Sequence, residues 1–522
     1  MASEPSNQEF YLTTCKTSRL GGSRKKMYSI DFVLEHTVLF KIITNDTDLP
    51  HGHGFGSARN TLTSLCAAMP DLRGQYKTTL SLLSSLPTLS SFANMLSQTA
   101  SAFVLLTTAV AAFQTCVVPF GGPGVDDSDA VRALLSNCSS DSEIVFSSCT
   151  TYNISTPIDF GNLSNVTISI LGNLDLPTSI LYVQSLVNAT AEQRLSWFTI
   201  AGTDVVLQGN QNPTEGFIYP HGEQWWIAAQ YVTPLGGLPL RPHGFSINVN
   251  RTTIRYMKVS KPIAWNFALS GGDYVVHDNW IDASYDLNTP NVFPFNTDGY
   301  DVKGPNFTFY NNHVFNGDDC IAVNNGAHDV YITDMVCEGG HGISLSGTDN
   351  ISNITFNNIT SRNSLYATRF KSSLDSQGNV SDVHWQNIYV LNATFPVFAT
   401  SVYFDQNTNR GKTPGVYPAN STATFISNFS WVNVSGTIND MYPGDGSCTT
   451  DPCWYHVANA TNTAGVTLQL LNGTASGVHL ENINLMPIDG KGVSNTYCDP
   501  DSFVDGTADL GIVCANGPYQ VV

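Results

Sequence analysis

From about Val117 onward, apolar and polar residues alternate in short runs that end at Asn, Gly or Asp, as in Val166-Thr-Ile-Ser-Ile-Leu171 and Thr253-Ile-Arg-Tyr-Met-Lys-Val259. Period-two alternation of this length predicts half-buried strands. One phrase then recurs: Phe307-Thr-Phe-Tyr-Asn-Asn312, Val330-Tyr-Ile-Thr-Asp334, Ile354-Thr-Phe-Asn-Asn358 and Val383-His-Trp-Gln-Asn387, with later echoes at Phe429 to Asn433 and Val478 to Asn482. The first three copies stand 23 to 24 residues apart. Each strand is too short to bury its own face, so equivalent strands from successive turns must stack into one continuous core. The interval suits one coil of a parallel β-helix, with coils spaced about 4.8 Å apart. Asn at the repeated turn positions tolerates left-handed backbone and can hydrogen-bond along the stack. The fold class predicted is all-β, a single-stranded parallel β-helix. Asp127-Ser-Asp-Ala-Val-Arg-Ala-Leu-Leu135 is expected to form a short capping helix over its amino end.

The 522-residue composition agrees: only 12% of residues are charged, and Asn, Ser, Thr and Gly are abundant, which suits strands and turns better than surface helices. The formal charge of −19 is unevenly spread. Residues 1–94 carry nine Lys/Arg against seven Asp/Glu, and the remainder fourteen against thirty-five. So acidic a body repels nucleic acid and anionic membranes, and neither is expected as a partner. The chain is expected to be a monomer.

Three features point to export. About seventeen Asn-x-Ser/Thr sequons follow residue 113, among them Asn153, Asn306, Asn358 and Asn433. Nine of eleven cysteines also follow it, and the pairs Cys320/Cys337, Cys448/Cys453 and Cys498/Cys514 read as local disulfides. The apolar stretch from Met95 to Phe113, with Ala109-Val-Ala111 before a small-residue exit, has the form of a secretory signal peptide lying inside the numbering. Three segments are therefore expected: 1–94, a gene-model extension or disordered stretch with little packed structure; 95–112, the signal; and 113–522, the β-helix.

Four short motifs follow one another at almost the coil interval: Asn296-Thr-Asp298-Gly, Gly317-Asp318-Asp319-Cys320, Gly340-His341-Gly342 and Arg369-Phe-Lys371. Asp298 to Asp319 is 21 residues and Asp319 to His341 is 22, so consecutive coils bring them to one face. Arg369 and Lys371, at i and i+2 of a strand, project from that face together. Asp318 and Asp319 can both serve only if the backbone bends between them, since neighbours on a regular strand point to opposite sides.

In that order these motifs resemble the polygalacturonase family of glycoside hydrolases, over roughly residues 115 to 515. The resemblance implies a right-handed, pectin-lyase-like solenoid that hydrolyses α-1,4-galacturonosyl linkages by single displacement with inversion, and no metal or other cofactor. One protonated carboxyl gives a proton to the leaving oxygen and a carboxylate activates water. By similarity Asp318 matches the acid, Asp298 and Asp319 the water-activating pair, and His341 the histidine that sets the acid's protonation. The residues alone do not divide the roles of Asp318 and Asp319. Asn296, Arg369 and Lys371 are candidate substrate ligands, the last two meeting a uronate carboxylate. Cys320 resembles the family cysteine that bridges to a position like Cys337.

One departure is visible. The family tyrosine some thirty residues beyond the R-x-K lysine has no clear counterpart: Thr408 falls near its place, and Tyr403 is the candidate substitute. Asn316 before Gly317, and the contexts Phe293-Pro-Phe-Asn-Thr-Asp298 and Ile263-Ala-Trp-Asn-Phe267, resemble exo-acting, fungal members, so a pectic polysaccharide trimmed from its end is the expected substrate. Rhamnogalacturonan- or xylogalacturonan-directed hydrolysis, endo-cleavage, and an inactive pectin-binding β-helix are the alternatives. A lyase on the same solenoid would call for calcium-binding carboxylates and a basic proton abstractor.

Overall fold

The computed structural model describes residues 113–191, 193–232, 237–285, 292–403, 421–441, 463–491 and 494–514, and, as backbone only, four strands between residues 17 and 44. Those four pair locally as antiparallel hairpins, Thr17–Leu20 with Ser23–Lys26 and Tyr28–Leu34 with Thr37–Thr44, where no sustained periodicity is visible in the sequence. The expected signal segment 95–112 lies outside the described residues. Among the described residues, no helix is long and apolar enough to cross a membrane.

After residue 113 every described strand pairing is parallel, and each strand pairs with its counterpart one coil on. One column of short strands carries the chemistry described below: β1 (Tyr300–Val302), β2 (Ile321–Asn324), β3 (Ile343–Ser346), β4 (Tyr366–Lys371), β5 (Phe395–Thr400) and β6 (Ala464–Gln469). The other faces are built by long strands such as Ile351–Arg362, Asn379–Ala393 and Phe425–Ile438, which bend midway.

The bend is where the repeated Asn stands. Asp278, Asn311, Asp334, Asn358, Asn387, Asn433 and Asn482 all have φ between 52° and 58°, the left-handed region that Asn and Asp tolerate best among residues with a side chain. Their side chains link neighbouring coils: Asn433 Nδ2 donates to Asn387 Oδ1 (2.9 Å), and Asn482 Nδ2 to Asn433 Oδ1 (3.0 Å). The apolar half of the phrase stacks inside. Phe356, Trp385 and Trp431 are fully buried, with ring centroids 5.4 and 4.6 Å apart in near-parallel planes.

Helix α1 (Ser128–Cys138) stands where a cap is expected, with Val131 buried and Leu134 and Leu135 packed on the core. A disulfide joins its last residue, Cys138, to Cys116 on the strand Gln114–Val117, a pair the close-spacing rule did not single out. Cys320–Cys337 and Cys498–Cys514 are formed, while Cys448/Cys453 lies outside the described residues. Among the described residues two α-helices are additional to the single expected cap, α2 (Ile180–Asn188) and α3 (Gly222–Val232). They bury Val183, Val187, Trp225, Trp226 and Ala229. Their apolar runs are short enough to read equally well as strands, a choice that periodicity alone does not make.

Candidate active site

The four motifs sit at the start of, or on, consecutive short strands. Asp298 precedes β1, Asp318 and Asp319 precede β2, His341 precedes β3, and Arg369 and Lys371 lie on β4. Backbone hydrogen bonds tie these junctions coil to coil: Asn266 N–H to Asp298 O (2.9 Å), Gly299 N–H to Asp319 O (2.9 Å) and Cys320 N–H to Gly342 O (2.9 Å). Asn316 Nδ2 adds bonds to the carbonyls of Thr297 (3.0 Å) and Asp319 (2.8 Å). The coil beyond comes so close that a Cβ on Gly340 would stand 2.3 Å from Asp318 O, which explains the glycine ahead of His341.

The chain bends between Gly317 and Cys320 rather than running as strand, so both aspartates reach one site. One ligating atom from each of Asp318, Asp319 and His341 lies within 4.8 Å of the others. Asp318 Oδ1 accepts from the Asp319 N–H (2.9 Å) and lies 3.1 Å from His341 Nδ1, while Asn296 Nδ2 donates to its Oδ2 (3.0 Å). Asp319 is engaged differently. Arg369 donates to Oδ1, Ser344 Oγ donates to the same oxygen (2.7 Å), and Lys371 Nζ stands 2.9 Å from Oδ2. That carboxylate already has two cations, so three liganding atoms nearby do not make a vacant cation site.

The structure thus brings every candidate residue into one neighbourhood and differs from expectation over the cations. Arg369 is 1% exposed, its guanidinium turned to Asp319 and stacked 4.5 Å from the Tyr366 ring centroid. Lys371, 14% exposed, reaches further out, with its ammonium 5.4 Å from the Tyr403 ring centroid. Thr408 lies outside the described residues.

Three aspartates in one buried cluster cannot share one ionisation state. Burial, reinforced by Asp318, Asp301 and Asp319, pushes Asp298 well above the ordinary carboxylate range against the pull of Lys371. Its Oδ1 has no hydrogen-bond partner among the described residues, as suits a carboxyl that keeps its proton. For Asp319 burial also opposes ionisation, but Arg369 and Lys371 outweigh it and hold the group low. Asp318 is held low against burial, chiefly by His341 and then by Lys371 and Arg369. The proton within reach of Asp318 is therefore the one it shares with His341, and it belongs to the pair.

Several neighbours carry no sequence signal. Asp301, buried on β1, is pushed by burial, Asp319 and Asp318 up to about 7. With Ala322, Ser344 and Arg369 it forms one buried row across β1 to β4. Tyr366 lies under His341 and Arg369, and Arg241 reaches Asn296 from the segment after α3. Ser344 and Asp301 follow motif residues by three positions, the one hint available.

A parallel β-helix that gathers on one face an ionised carboxylate, a protonated one and a carboxyl paired with histidine defines a polysaccharide-cleaving glycosidase. Residues 115–453 match the profile described as Glycosyl hydrolases family 28, and the chain belongs to that family. It is 38% identical over 423 residues to a protein of Aspergillus terreus named probable exopolygalacturonase C, covering 78% of this chain and 93% of that one. The Aspergillus niger protein of the same name is 38% identical over 430 residues, with 78% and 92% covered. Among solved structures, endo-xylogalacturonan hydrolase from Aspergillus tubingensis superposes with a TM-score of 0.58 at 21% identity, over 77% of this chain and 99% of that one, a likeness of fold.

Proposed function

We propose that the protein is a secreted exo-polygalacturonase that removes galacturonic acid from the end of polygalacturonate by single-displacement hydrolysis. The observation that carries this is the meeting of Asp298, Asp318, Asp319 and His341 on one face beside Lys371. The exo assignment is supported by the names of the Aspergillus relatives. Asp318, with 17% of its side chain exposed against 3% for Asp319, is the carboxyl that meets the glycosidic oxygen. It gives that oxygen the proton held with His341. On the opposite face of the sugar, Asp298 and Asp319 take a proton from the attacking water, which requires Asp298 to have ionised. Lys371 and Tyr403 lie where a uronate would meet a cation and an aromatic ring. Asn296 contributes through its hold on Asp318, and Arg369 through its hold on Asp319.

Chromatography of early products from polygalacturonate tests the reading. Galacturonic acid alone is expected. A ladder of oligomers means endo-cleavage, and action confined to xylose-substituted or rhamnose-containing backbones moves the substrate elsewhere in the pectic class. Unsaturated products would overturn hydrolysis.

A further inference from the structure

Asn296 donates to Asp318 Oδ2 through its amide nitrogen (3.0 Å). Nothing in the size of an amide dictates that choice, because nitrogen and oxygen are nearly isosteric and a turned Asn296 would offer its carbonyl instead. A turned amide would accept from a protonated Asp318 and so favour the acid over the carboxylate.

Arg241 makes the choice. It lies between α3 and the strand His243–Arg255, and donates through Nη2 to Asn296 Oδ1 (2.6 Å) and through Nη1 to the Phe295 carbonyl. A guanidinium has five donors and no acceptor, so the oxygen of Asn296 must face it and the NH₂ must face Asp318. The guanidinium is itself closely packed: a Cβ on Gly237 would stand 2.8 Å from its Cζ.

We propose that Arg241 is a positioning residue for the hydrolysis: by fixing the Asn296 amide it keeps a hydrogen-bond donor on Asp318 as that group gives up its proton. This rests on the reading of Asp318 as the acid. The carboxylate that forms on proton transfer finds the donor already in place, and no reorganisation is needed at that moment. Arg241 also acts on Asp318 by charge alone, as do His341, Lys371, Arg369 and Asp298, so loss of the cation and loss of the relay must be separated.

A double-mutant cycle of Arg241→Met and Asn296→Ala separates them, because a through-space charge effect acts in either background and cancels. Each single variant is expected to lower kcat by roughly tenfold or more with KM little changed. The double variant should be no slower than the slower single. The pH limb set by the acid should move upward in Arg241→Met. Arg241→Lys, which restores charge without the two-pronged fork, should recover only part of kcat. Independent multiplication of the two effects, or a loss confined to KM or to melting temperature, would overturn the relay. Following the His341 ring by NMR titration gives a readout that needs no turnover. Its midpoint should shift on Arg241→Met more when Asn296 is present than when Asn296→Ala has removed the amide, and equal shifts would sink the relay whatever the substrate proves to be.

Discussion

Lys371 Nζ stands 2.9 Å from Asp319 Oδ2 while Arg369 holds the other oxygen, so both cations of β4 are committed to one carboxylate two coils away. With Asp319 and Arg369 almost wholly buried, this is an interior ion triad. Removing the shared anion leaves two neighbouring cations uncompensated. Asp319→Asn is therefore expected to cost about 3–5 kcal/mol of stability besides activity. Urea unfolding measures it, and a loss under ~1 kcal/mol would show that the pairing is not what holds β2 to β4.

Asp318 predicts the opposite balance. Asp318→Asn keeps the shape, leaves the pairing of Asp319 with Arg369 and Lys371 intact, and removes the transferable proton. Turnover is expected to fall by about 10²–10⁴ or more with little change in melting temperature. Near-wild-type kcat would remove Asp318 from the acid role.

The raised pKa of Asp298 sets an expectation for pH. A carboxyl held protonated by burial and by Asp318 must lose its proton before it can activate water, so the acid limb of kcat/KM should lie above the ordinary carboxylate range. Lys371 eases that ionisation. Lys371→Met should push the limb to still higher pH, and an unmoved limb would detach it from Asp298.

Asp301 makes a stability prediction with a definite sign. Its folded value of about 7 exceeds the ordinary aspartate value of 3.8, so the folded state binds the proton more tightly. Below pH 3.8 both states are protonated and the full stabilisation is present. As pH rises toward 7 the unfolded state releases its proton first, and stability falls by up to about 1.4 kcal/mol per pH unit. Asp301→Asn cannot ionise and lacks this slope. Relative to the wild type it should gain stability as pH rises from about 4 to about 7, and parallel curves would count against burial of an ionisable group there.

The Cys320–Cys337 disulfide closes a 17-residue separation directly beside Asp319. Replacing both cysteines by serine should cost about 3 kcal/mol, mostly by freeing the unfolded chain. Activity at temperatures well below unfolding tests whether the bridge also holds Asp319. Unchanged kcat there would confine its role to stability.

What was legible in the sequence follows from the coil. Period-two strands at a nearly fixed interval place Asp298, Asp319 and His341 on successive junctions, and an i, i+2 pair such as Arg369 and Lys371 shares a side whatever the details. Side-chain pairing was less legible. The bend at Gly317 to Cys320 decides that Asp319 turns inward to Arg369 while Asp318 turns to His341, and no periodicity encodes a bend. Arg241 lies outside the repeat, and only the folded segment after α3 brings it to Asn296. The apolar runs of α2 and α3 are too short for the pattern to choose between helix and strand.

Between β5 and β6 the chain passes through residues 401–463, yet Val397 still pairs in register with Val466. That coil, which carries the stacked strand Phe425–Ile438, is longer than the one before it, and the register is kept. Distances between groups on different coils therefore come in fixed steps of about 4.8 Å, set by the backbone ladder rather than by the length of any loop. For a lineage of such enzymes, the length of a coil and the spacing of the groups stacked on it are separately heritable: residues can be added between two strands while the distances from coil to coil stay constant.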